Sequence, residues 1–173
     1  MTDTTQRIAA SPDELPTLED ILAQSGLEFM RDVLAGKHSG PPIGAALNYW
    51  LEEVEEGRVV FCGVPKFDYT NPMGTLHGGW YGTLLDSCMA CAVMTRVPRG
   101  SVYTTLEYKV NIVRPIPLDT RVRAIGTAQH VGRSTGVAAG EIRGVDDDRL
   151  YATGSTTCIV MRMEREPGTG HGA

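Results

Sequence analysis

The chain has no apolar run approaching the roughly 18 residues of a membrane span. Its opening residues, MTDTTQRIAASPDELP, lack the apolar stretch of a secretory leader. Basic charge is in deficit: 16 Lys and Arg stand against 21 Asp and Glu, a net charge of −5. That balance excludes a general nucleic-acid binder, whose footprint is basic. No G-x-S-x-G occurs, so the nucleophile elbow of a serine hydrolase is absent. Cysteine is sparse, at Cys62, Cys88, Cys91 and Cys158. Cys88 and Cys91 form a CxxC, but it lies well inside the apolar segment GTLLDSCMACAVM. A redox pair sits at a helix N-terminus, where the dipole lowers a thiol pKa. A zinc site needs two further ligands at matching spacing, and none is found. The pair therefore reads as small core residues. The expected compartment is cytoplasmic, with reduced thiols.

What is present is a chain of 173 residues, 42% hydrophobic and 21% charged. That suits one globular domain with a sizeable core. Residues 1–16 are expected to be a flexible N-terminal tail, 17–163 a single domain, and 164–173 a flexible C-terminal tail. Leu18 to Ala35 reads as one amphipathic helix, with Thr17 as its cap, Asp20 three residues on, and Gly36 as its end. Two strands follow, Gly44 to Val54 and Gly57 to Val64, joined by an acidic turn. The loop NPMGTLHGG leads into a helix over Trp80 to Val97 that is apolar nearly all round and should be buried.

The last third is strand after strand. Val102, Leu106, Tyr108, Val110 and Ile112 alternate with Tyr103, Thr105, Glu107, Lys109 and Asn111. Further strands are expected over Thr120 to Val131, Ser134 to Val145 and Arg149 to Met163. Short turns between them dictate antiparallel neighbours. Gly126, Gly140 and Gly154 fall mid-strand, where glycine marks the close approach of another backbone. A long helix lying across a curved sheet requires such contacts. The expected class is α+β: about six antiparallel strands wrapped around one central helix, with an extra N-terminal helix.

Asp86 is the only carboxylate between Asp68 and Glu107. An acid on an otherwise apolar helix is either a site residue or a solvent-facing one. Gly78 and Gly79 sit where that helix begins. Their N–H groups belong to the unpaired donors of a helix N-terminus and suit a developing oxyanion, or they form only a tight turn. His77 is a base or a loop-fixing histidine. Asn71 orients substrate or water, or makes an Asx turn before Pro72. Trp80, Tyr81 and Met89 line an acyl pocket or pack in the core.

The run N-x-x-G-x-x-H-G-G-x-x-x-x-x-x-D from Asn71 to Asp86, followed by LEYKVNIVRPIP and later by GRSTGVAAGEI, resembles the hotdog-fold acyl-CoA thioesterases, in particular their PaaI-like branch. The resemblance covers about residues 40 to 163. It implies a hotdog fold, no cofactor and no metal, and hydrolysis of an acyl-CoA thioester to free acid and CoA. By the same resemblance Asp86 is the catalytic carboxylate, nucleophile or general base, and Gly78 polarises the carbonyl through its N–H. Asn71 and His77 position the thioester or water from the neighbouring subunit. Thr105, with Thr104 as near neighbour, places the water. Sites at a dimer interface imply a homodimer, extended to a dimer of dimers, a homotetramer. Gly79 and Trp80 are expected beside the substrate. Arg96, Arg99 and Arg133 are candidates for the CoA phosphates or plain surface arginines. Two other functions are carried alongside. A hotdog hydratase or dehydratase uses a differently spaced acid–histidine pair, which is not found. A non-catalytic acyl-CoA sensor would usually carry a DNA-binding segment, and the N-terminal helix offers none. The partner is thus an acyl-CoA substrate, with no nucleic acid and no membrane.

Overall fold

The computed structural model describes residues 6–163. The expected C-terminal tail, 164–173, and residues 1–5 lie outside that range. Six strands form one sheet: β1 (Tyr49–Glu55), β2 (Arg58–Gly63), β3 (Ser101–Ile112), β4 (Val122–Val131), β5 (Thr135–Gly144) and β6 (Leu150–Arg162). Their order is β1-β2-β4-β5-β6-β3, and every neighbouring pair is antiparallel. The central helix, α4 (Gly78–Met94), lies across this sheet, with Leu84, Leu85, Cys88, Met89, Ala92 and Val93 fully buried. This is the α+β, sheet-around-helix architecture that the periodicities implied.

The mid-strand glycines act as expected. A Cβ built on Gly126 would collide with the Cys88 carbonyl, and one on Gly140 would stand 2.7 Å from Met89 Cγ. Bare backbone lets α4 settle directly onto β4 and β5. At the far end of the helix, Thr95 Oγ1 accepts the Gly57 N–H at 2.7 Å and donates to the Ala92 carbonyl at 2.7 Å, which ties the β1–β2 turn to the helix end.

Three expectations are corrected. The helix expected over 18–35 is two helices, α1 (Leu18–Leu22) and α2 (Gly26–Leu34), each opened by a reciprocal capping box, Thr17 with Asp20 and Ser25 with Glu28. The break brings Gly26 against the Met94 carbonyl, where a side chain would collide, and Gly26 N–H donates to the Val97 carbonyl at 3.0 Å. Residues 6–16 are fixed in place, not a loose tail. Ala9 is buried and its N–H reaches the Gly40 carbonyl at 3.0 Å, while Gln6 Nε2 donates to the Leu51 carbonyl at 2.7 Å. Lastly, the simple alternation along β3 fails at Leu106, where a bulge opposite β6 leaves that residue unpaired. Thr105 and Tyr108 consequently face the same helix. Residues 6–46, including the short α3 (Pro42–Ala46), form a cap in contact with β1, α4 and β3.

Candidate active site

β3 and α4 run side by side, so their residues meet in order. Tyr103 neighbours Cys91, Thr105 meets Asp86, Tyr108 stands over Gly82, and Ile112 Cδ1 lies 3.6 Å from a Cβ built on Gly78. Gly78, Gly82 and Asp86 recur every four residues, and so share one stripe of the helix. The two glycines keep that stripe low, and Asp86 is its one ionisable side chain.

Asp86 is half-buried, and Thr105 Oγ1 donates to its Oδ1 at 2.9 Å. Burial raises its pKa above the ordinary 3.8, and the Thr105 hydrogen bond opposes that rise. A carboxylate held by one hydroxyl and partly stripped of water is more basic than a solvated one. It suits proton abstraction or nucleophilic attack. Thr104 is exposed, and strand alternation turns it away from Asp86.

The loop before α4 is built around Asn71. Its Oδ1 accepts the N–H groups of Met73 (2.9 Å) and Thr75 (3.3 Å), and its Nδ2 donates to Thr75 Oγ1 at 2.8 Å. Asn71 thus clamps the loop on itself, the Asx-type alternative. His77 is the N-cap of α4. Its Nδ1 accepts the Gly79 N–H at 2.9 Å, and its carbonyl accepts that of Trp80 at 3.0 Å. An accepting Nδ1 leaves the ring proton on Nε2, exposed at the surface. Gly79, expected to bind substrate through its amide, has that amide taken by His77. The Gly78 N–H, by contrast, has no partner among the described residues and is exposed at the positive end of a 17-residue helix.

Other expected site residues are placed elsewhere. Trp80 is buried, with its indole N–H on the Leu47 carbonyl at 2.9 Å. Tyr81 Oη accepts the Ile116 N–H at 2.8 Å, and Met89 is fully enclosed. All three belong to the core rather than to a ligand space. Arg96, Arg99 and Arg133 are exposed toward the C-terminal end of α4: Arg96 lies against the Gly57 turn and Arg99 lies near Glu28. Arg96 follows Asp86 by ten residues, about 15 Å of helix. Within one chain these arginines are therefore distant from the Asn71–Gly78 loop. Burial pushes the Cys91 thiol up to about 12 and the Cys88 thiol well above its usual value, so neither thiol of the CxxC is an activated one.

Two features went unread in the sequence. Tyr49 Oη and Ser87 Oγ lie 3.0 Å apart beside Asp86. Tyr108 covers Gly82. The four-residue recurrence of Gly78, Gly82 and Asp86 was the available signal for the second.

Residues 73–151 match the family model of the thioesterase superfamily. A curated protein of Caenorhabditis elegans, named as a candidate esterase, is 26% identical over 153 residues, covering 88% of this chain and 86% of the relative. Among solved structures, a mutant of the phenylacetic acid degradation protein PaaI from Thermus thermophilus superposes with a TM-score of 0.62 at 27% identity, over 68% of this chain and 97% of that one. A thioesterase protein from Streptococcus pneumoniae, solved with coenzyme A, gives 0.60 at 26% identity, over 68% and 89%. The Asn71–Asp86 run, the sheet wrapped on α4 and these matches give the chain the hotdog thioesterase fold, with a likeness over residues 73–151 to the thioesterase superfamily and to PaaI-like proteins.

Proposed function

We propose that this protein hydrolyses acyl-CoA thioesters to a free acid and CoA, with Asp86 as the catalytic carboxylate. The observation that carries the reading is the Asp86–Thr105 pair: a half-buried acid, alone on its helix, held at 2.9 Å by one hydroxyl. The CoA-bound S. pneumoniae thioesterase supports CoA as the thiol.

Gly78 and Asp86 are eight residues apart on one helix, about 12 Å along its axis. One chain therefore does not bring both to a single thioester, and a second copy supplies the missing half. The edge strand β3 supports that pairing. It is 12 residues long, lies last in the sheet, and exposes Leu106, Tyr108 and Ile112. Two such edges joined antiparallel make one continuous sheet and set the Asp86 of one subunit near the Gly78 of the other. The homodimer is the unit of catalysis, and dimers pair further into a tetramer. Four unpaired thiols support a reducing, cytoplasmic setting.

In the reaction the Gly78 N–H donates to the thioester carbonyl and holds the oxyanion. Asp86 takes a proton from water, the water oxygen bonds to the carbonyl carbon, and the C–S bond breaks. The CoA sulfur leaves with the electron pair and takes up the proton. If Asp86 attacks directly, an acyl-aspartyl anhydride forms with loss of CoA, and water then cleaves it. Where water attacks the aspartyl carbonyl of the anhydride, solvent ¹⁸O in one turnover separates the routes: that attack leaves label in Asp86 and sends an Asp86 oxygen out in the acid, whereas the general-base route puts the label in the acid.

The test is CoA release from an acyl-CoA panel, followed with a thiol reagent. Asp86→Asn is expected to lower kcat by about 10³-fold with substrate binding retained, within the usual range for loss of a catalytic base. Ligand binding with no turnover across the panel identifies a sensor instead. Hydration of an enoyl thioester without CoA release identifies a hydratase.

A further inference from the structure

A cavity of about 400 Å³ lies between the N-terminal cap and α4. Its inner end is formed by Ser87 and Cys91 of α4 and Tyr103 of β3. Ser87 adjoins Asp86 in sequence, and Tyr103 lies two residues from Thr105 on the same strand. Ser87, Cys91 and Met94 follow one another at spacings of four and three, so one face of α4 lines the cavity. That face is turned about 100° from the stripe bearing Asp86. The outer wall comes from the cap: Phe29, Met30 and Val33 of α2, with Ile8 and Leu15 from the stretch before it. Among the described residues, no Asp, Glu, Lys, Arg or His lines the space.

The cavity's volume falls within the roughly 300–1,000 Å³ of small-molecule pockets. We infer that this cavity receives the acyl chain of the thioester, and that the cap selects uncharged, apolar acyl groups of medium length or longer. The inference rests on the hydrolase reading above. The polar end, where Tyr49 Oη and Ser87 Oγ lie 3.0 Å apart, follows Asp86 in sequence and feels its charge at Tyr49, and it suits the carbonyl end of the acyl group. The remaining wall is mainly apolar; its polar side chains include Gln6 and Ser39, both uncharged, and Gln6 Nε2 is already engaged by the Leu51 carbonyl. An acetyl group leaves it unfilled, and an acyl group ending in a carboxylate would bury a charge with no partner. The matched family segment begins at Met73, downstream of every cap residue named. Acyl selection is thus built from a different stretch of chain than the reacting groups.

The experiment measures kcat/KM for acetyl-, butyryl-, hexanoyl-, octanoyl-, decanoyl- and succinyl-CoA. Values are expected to climb roughly threefold per methylene from butyryl to decanoyl, with succinyl-CoA at least about a hundredfold below hexanoyl-CoA. Val33→Phe narrows the cavity and should cut the decanoyl-to-butyryl ratio at least tenfold. Phe29→Ala widens it and should move the optimum to longer chains, so the pair of variants guards against one that fails to fold. A flat chain-length profile, or succinyl-CoA turned over as well as hexanoyl-CoA, overturns the inference while leaving the hydrolase reading intact. Trp50 lines the same cavity, so its fluorescence during titration with decanoic acid reads occupancy independently of turnover. Decanoic acid binding that Val33→Phe weakens, in a protein that hydrolyses nothing, upholds the cavity assignment and removes the hydrolase. Absence of both binding and turnover overturns the assignment.

Discussion

The sheet has two edges, and they are finished in opposite ways. β1 is seven residues long, carries Glu52, Glu53 and Glu55, bulges between Leu51 and Glu53, and is covered by α2 and α3. Short length, charge, a bulge and a helical cover are the usual means of keeping a sheet edge from recruiting another strand. β3 is 12 residues long and leaves Leu106 62% exposed, with Tyr108, Ile112 and Val113 also at the surface. The difference assigns different work to each edge. The covered edge walls an apolar cavity. The open edge carries Thr105 and so holds Asp86, and in the proposed function it is the edge where a second copy joins.

The sharpest way to break this contrast is to charge the open edge. Leu106→Lys combined with Ile112→Lys is expected to give a monomer by light scattering. Activity should fall by about 10²–10³-fold if, as proposed, the partner supplies the oxyanion donor. A fully active monomer would refute the shared site. The next effect is on stability. Gly126→Ala drives a methyl into the Cys88 carbonyl and should lower unfolding free energy by about 3 kcal/mol, measured by urea denaturation. A smaller effect follows from Thr105→Val. It removes the hydrogen bond that opposes the raised pKa of Asp86. The acid limb of the pH–kcat profile, already above the ordinary 3.8 of an aspartate, should move to still higher pH, with kcat down about tenfold through loss of a charge-assisted hydrogen bond. On the covered edge, Glu53→Gln removes the acid from its ion pairs with Arg58 (2.8 Å) and Arg123 (2.7 Å). It should change stability by less than about 1 kcal/mol and leave assembly unaltered, since the pair is partly exposed.

Asp86 also yields a stability prediction with a definite sign. Its folded pKa is raised, so the native state holds the proton more tightly than the unfolded chain does. That stabilisation is present below the unfolded value and lost as pH rises through the folded one. At pH 7 the ionised acid is therefore a burden on the fold. Asp86→Asn should melt at the same temperature as the parent or higher, in a thermal scan, even as turnover collapses.

Much of this was readable beforehand, for identifiable reasons. α4 shows in the sequence because an apolar helix with a single acid has no solvated face to confuse its pattern. Gly126 and Gly140 revealed the helix-on-sheet contact because strands otherwise avoid glycine. The break at Ser25 was missed because the apolar spacing continues across it, although Ser25-x-x-Glu28 repeats the cap already recognised at Thr17. The β3 bulge was missed because a period of two carries no mark of one extra residue. For Trp80, Tyr81 and Met89 the sequence leaves acyl contact and core packing both open, because size does not distinguish a core from a cavity wall. The cavity joins Ile8, Phe29, Trp50, Met94 and Tyr103, residues that no local pattern groups together.

Gly126 presses on α4 from the side opposite β3, backbone against backbone, with no side chain to yield. The aim of the Asp86 carboxylate is thus set from behind, by backbone packed on the helix face turned away from it. Substitutions on that hidden side will register as altered chemistry in an otherwise untouched site.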